Sequence, residues 1–105
     1  MIVDEVFQQG GHGNYELARV QHADGYVLRV RVHRDSYAKQ STAVAEVLTP
    51  LLTWTIIASS PGGDWHRKTP ATSSDTTPLI PVADEVLQRA RRILPVPAPF
   101  TTPGQ

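Results

Sequence analysis

The sequence predicts a small α+β protein: an antiparallel β-meander of about four strands with one C-terminal α-helix packed on one face. Three observations carry this. Leu28, Val30 and Val32 alternate with Arg29, Arg31 and His33 at period two, and residues 15–22 read as a second strand across an Ala23-Asp24-Gly25 turn. Two further apolar, β-branched runs, Thr42–Leu48 and Trp54–Ala58, flank a Thr49-Pro50 turn. Finally, the apolar residues of Pro81–Leu94 recur with helical spacing. Strand runs followed by a helix, each with one apolar face, layer as a sheet covered by a helix.

In chain order, Ile2–Phe7 is a short apolar and acidic run, either an added edge strand or one turn of helix. Gly10-Gly11-His12-Gly13 interrupts it. These glycines match neither Gly-x-Gly-x-x-Gly nor a Walker A loop, no Lys-Ser/Thr pair follows, and a strand comes next where a phosphate loop needs a helix. The stretch reads as a connector.

In the hairpin, Leu28, Val30 and Val32 share one face and Arg29, Arg31 and His33 the other. A three-residue loop with Gly25 in the left-handed region sets Val20 opposite Leu28 and Ala18 opposite Val30, keeping apolar with apolar. The same register puts Arg19 opposite Arg29. Arg19, Arg29 and Arg31 are thus expected together on the open face, as an anion or nucleic-acid site or simply as a solvated strand face.

Residues 36–48 admit a helix capped by Asp35 or Ser36, or a strand over Thr42–Leu48. The strand is preferred, because an isolated hairpin is marginal and a four-stranded meander can bury a face. In the next strand Trp54, Ile56 and Ala58 are expected to point one way and Ile57 the other. From Ser59 the composition turns to Ser, Thr, Pro, Gly and charge, giving a long polar loop over 59–80. Within it, Trp65, His66, Arg67 and Lys68 are the dense cluster of recognition-type side chains. Trp65 reads as an aromatic anchor, with Arg67 and Lys68 to meet an anion, or else as a tryptophan packed back on the sheet.

Pro81 suits the first helical turn, Asp84 and Glu85 the early turns, and Arg89, Arg91 and Arg92 the last ones. Glu85 and Arg89 form an i,i+4 pair. Val82, Ala83, Val86, Leu87, Ala90, Ile93 and Leu94 make the buried stripe, and Pro95 stops the helix. Residues 1–94 form one domain. The Pro-rich tail 95–105 is expected to be extended and flexible.

Composition excludes several chemistries. The chain has ten basic and ten acidic residues in 105, so no net charge draws it to nucleic acid or acidic membranes. It lacks cysteine, hence disulfides and thiolate chemistry. The four histidines show no paired metal-ligand spacing, the adjacent carboxylates Asp4-Glu5 and Asp84-Glu85 look solvated, and no nucleophile elbow is present. The N-terminus has no basic n-region, and no apolar run approaches the roughly 20 residues that cross a bilayer. Arginine outnumbers lysine, a usage associated with GC-rich bacterial genomes. The expectation is a cytoplasmic, non-enzymatic interaction module without cofactor, metal or membrane partner. It would act on a protein partner or self-associate as a homodimer through unpaired sheet edges. The alternatives are nucleic-acid or anion binding by the hairpin arginines, and an enzyme using the His66 loop.

Overall fold

The computed structural model describes residues 2–10, 13–23 and 25–94. Five strands, β1 (Ile2–Gln9), β2 (Tyr15–Ala23), β3 (Tyr26–Arg34), β4 (Thr42–Leu48) and β5 (Trp54–Pro61), pair antiparallel in chain order. One helix, α1 (Ile80–Ile93), lies across β3, β4 and β5. The architecture is the predicted meander plus helix, with Ile2–Phe7 resolved in favour of the fifth, edge strand. The preference for a strand at Thr42–Leu48 also holds. The tail 95–105 and His12 lie outside the described residues, and among those described no helix is long and apolar enough to cross a membrane.

The core forms where α1 meets the inner face of the sheet. Leu17, Leu28, Val30, Val32 and Ala45 are fully buried on the strand side; Leu79, Ala83, Val86 and Ala90 are fully buried on the helix side. Glu85 and Arg89 pair at 2.9 Å as the spacing implies. Ile93, assigned to the stripe by periodicity, is 59% exposed at the helix end.

The hairpin register differs from the expected one. Ala23 pairs with Tyr26 and Arg19 with Val30, so only Asp24 and Gly25 separate the paired strands, and Gly25 sits at φ 83°. Shifting by one residue exchanges the faces of β2. Tyr15, Leu17 and Arg19 are buried with Leu28, Val30 and Val32, while Ala18 and Val20 join the arginines outside. Two effects favour this register. Tyr15 and Leu17 bury more apolar area than Ala18 and Val20, and Asp-Gly is a preferred two-residue hairpin connection. The cost is a guanidinium inside, which Asp84 of α1 offsets.

A second departure lies in β5. Ala45 pairs with Ala58 but Glu46 with Ile56, leaving Ile57 as an extra residue. This bulge separates Ile56, 57% exposed, from Ala58, which packs on the core with Ile57. Trp54, Ile56 and Ala58 therefore do not share a face.

The polar stretch after β5 is organised by short 3-10 turns at Gly62–Asp64, His66–Lys68 and Thr77–Leu79. It is stitched to the end of β3. Tyr15 Oη donates to the Pro70 carbonyl at 2.7 Å, Arg34 Nε to Thr69 Oγ1 at 3.1 Å, and His66 Nε2 meets the Asp35 carbonyl at 2.9 Å. Gly62 lies under the backbone of residues 38–41, where a Cβ would collide with the Ala38 and Ser41 carbonyl oxygens.

Candidate functional site

Folding the 62–69 segment against the start of α1 creates a cleft of about 290 Å³. Trp65, Pro78, Pro81 and Val82 supply its apolar lining, and Lys68, Asp64 and Glu85 its charged groups. Trp65 is only 4% exposed, and its indole Nε1 donates to the Ser60 carbonyl at 3.4 Å. The tryptophan is therefore a wall of the cleft and part of the core, not a side chain held out in solvent. Lys68 lines the same cleft, whereas Arg67 is exposed outside it.

His66 is tied down through the Asp35 carbonyl. No hydrogen bond joins it to Ser59, Ser60 or Asp64, so no nucleophile–base pair is assembled there. Nearby, burial pushes the Tyr15 phenol above its ordinary pKa, with the Thr69 hydrogen bond and the Arg34 charge pulling partly back. Arg34 itself is 6% exposed and held by neutral oxygens: Thr69 Oγ1 and the Gly13 and Asp35 carbonyls. It anchors the structure of this end of the sheet.

The three hairpin arginines are not brought together. Arg19 lies inside, 5% exposed, with its terminal nitrogen 3.1 Å from Asp84. Arg29 and Arg31 do share the outer face, and each places Nε 3.0 Å from the same Glu46 oxygen. The Arg29 guanidinium also stacks 4.2 Å from the Trp54 ring. Burial alone would raise the Glu46 carboxyl, but the hydrogen bonds and charges of Arg29 and Arg31 outweigh it and hold the group below its ordinary value. Sequence reading missed Glu46, because its pairing with β3 is fixed by a register that no local pattern states.

His33 sits between two carboxylates, with Nδ1 3.8 Å from Glu16 and Nε2 3.5 Å from Asp35. The two ring nitrogens face different partners, so the three donors do not converge on one point. Among the described residues no group of three His, Asp or Glu side chains is placed to hold a metal ion. A broader depression of about 470 Å³ by Gln8, Gln9, Asn14, Glu16 and His33 is lined mainly by polar side chains; its one aromatic, Tyr15, is 1% exposed and offers no ring face. No family model, curated protein or solved structure matches the chain.

Proposed function

We propose that the protein is a non-enzymatic, cytoplasmic interaction module that takes one or two side chains of a protein partner, or of a second copy of itself, into the Trp65–Val82 cleft. The observation that supports this reading is the cleft's size and lining. About 290 Å³ falls at the bottom of the range for small-molecule sites, roughly 300–1,000 Å³. An apolar lining of Trp65, Pro78, Pro81 and Val82, with Lys68, Asp64 and Glu85 beside it, is the composition of an anchor pocket in a protein interface. The outer arginines support nucleic-acid binding less well, since Arg29 and Arg31 already direct their Nε groups to Glu46.

The test is selection of displayed peptides on the wild-type protein, followed by titration of the winners while the Trp65 indole N–H is watched by NMR. Binding peptides are expected to shift that signal and to lose affinity at least tenfold on Val82→Arg. A selection whose winners ignore Val82→Arg would remove the cleft as the binding site.

A further inference from the structure

The turn joining β4 to β5 carries the most exposed large apolar side chains described: Leu51 at 85% and Leu52 at 78%. It is a closely bonded turn. The Thr49 N–H donates to the Thr53 carbonyl at 2.8 Å, the Leu52 N–H to the Thr49 carbonyl at 2.9 Å, and the two threonine hydroxyls meet at 2.7 Å. Leu52 sits at φ 62°, a left-handed position where hairpin turns place glycine because a Cβ crowds the backbone. A bulky residue in a disfavoured conformation, held beside a second leucine and exposed to water, breaks two local rules at one place. Such violations concentrate at functional sites.

The Trp65–Val82 cleft lies at the opposite end of β5, where Ser60 joins its lining. Eight strand residues span about 26 Å, so a chain cannot fill its own cleft with its own turn. In two copies lying antiparallel along β5, a two-fold axis through the middle of the strand brings each turn beside the other copy's cleft. Ile56, 57% exposed near the strand centre, then lies close to the axis. We propose that this flank is a homodimer interface, with Leu51 and Leu52 of each copy seated in the Trp65–Val82 cleft of the other. The inference rests on the cleft reading above and names its occupant.

Area and charge both bear on this choice. One turn in one cleft removes far less than the roughly 1,200 Å² of a stable specific interface, whereas two such contacts flanking an Ile56 pair come much nearer to it. Residues Thr49–Thr53 carry no charge, so seating them desolvates none beyond those already at the cleft. Ladder extension is blocked on this edge: Ile57 bulges, Pro61 has no N–H, and Arg89 donates to the Ser59 carbonyl at 3.0 Å. The contact is therefore made by side chains and closes at two copies.

Sedimentation equilibrium from micromolar to millimolar protein tests it, with Leu51→Asp/Leu52→Asp as the turn variant and Val82→Arg as the cleft variant, each checked for folding by circular dichroism. The wild type is expected to dimerise, and each variant alone to associate at least 100-fold more weakly. An equimolar mixture of the two variants is expected to associate more tightly than either variant alone but more weakly than the wild type, because the mixed dimer restores one of the two turn-in-cleft contacts. A wild type that stays monomeric at millimolar concentration overturns the proposal; if selected peptides still enter its cleft, the parent reading survives alone. A dimer that either variant leaves intact overturns this seating as well.

Discussion

Arg19 and Asp84 meet at 3.1 Å across the boundary between sheet and helix, the arginine 5% exposed and the aspartate side chain 54% exposed. This pair lets β2 take a register that points a cation inward. Asp84→Asn leaves the guanidinium buried beside a neutral partner. The expected loss is about 1–3 kcal/mol, discounted from the fully buried case because Asp84 is half in water. Arg19→Met keeps the stem's packing and removes the charge, so it is expected to be near neutral or stabilising. Chemical denaturation of both variants checks the asymmetry. Equal losses would show that the ion pair, and not the burial of one charge, sets the energy.

The register also marks where the sequence stopped being readable. Helical spacing over 81–94 and alternation over 27–34 are local signals, and they placed α1 and β3 correctly. The face of β2 depends on the turn length at Asp24-Gly25 and on whether Asp84, more than sixty residues away, can meet Arg19. No period within β2 records that. The cleft was half legible in the same sense: Trp65 and Lys68 stood out by residue type, while Pro78, Pro81, Val82 and Glu85 join them only through the long-range docking of α1.

Glu46 gives the fold an acid-sensitive contact. Its folded-state carboxyl is held below the ordinary value, so it binds protons less readily than the unfolded chain does. The stability it contributes is fully present above the unfolded carboxylate pKa and is lost as pH falls through the lowered folded value. Urea midpoints are expected to drop on acidification below about pH 4, and Glu46→Gln is expected to flatten that part of the profile. The same variant leaves Arg29 and Arg31 without their anion, so any affinity for single-stranded nucleic acid should rise and become steeply salt-dependent. An unchanged acid profile would show that Glu46 is not the group responsible.

Gly62 is a position where close approach alone demands glycine. A methyl group there meets the carbonyl oxygens of Ala38 and Ser41, which belong to backbone and cannot rotate away. Gly62→Ala is expected to cost about 1–3 kcal/mol through overpacking. Because the 62–69 segment forms one wall of the cleft, binding should weaken together with stability. Gly63→Ala, with nothing within 4 Å, serves as the control and is expected to be near neutral. Thermal melts of the pair provide the comparison.

Trp65→Ala does not separate binding from folding, since the side chain is 4% exposed and belongs to the core. Removing it should cost about 3–5 kcal/mol. Lys68→Ala, at an exposed residue lining the same cleft, is expected to change stability by no more than about 0.5 kcal/mol. It is the cleaner probe of whether a partner carries an anionic group. A fall in peptide affinity that vanishes at high salt would assign Lys68 that role; an affinity unchanged by the substitution would remove it.

Leu52→Gly separates the needs of the fold from those of the turn. At φ 62° a leucine carries a backbone cost of about 1–2 kcal/mol that glycine does not. The side chain is 78% exposed, so little burial is lost in exchange. Glycine gives back part of the gain through the greater entropy of its unfolded chain. The net expectation is a stabilisation of about 0.5–1 kcal/mol, read from denaturant midpoints with an unchanged m-value. Stabilisation with loss of self-association would mean that the leucine is kept at the expense of the monomer for what it contacts in another copy. A destabilised variant would mean instead that Leu52 packs within its own chain, and the turn would then need no partner to account for it.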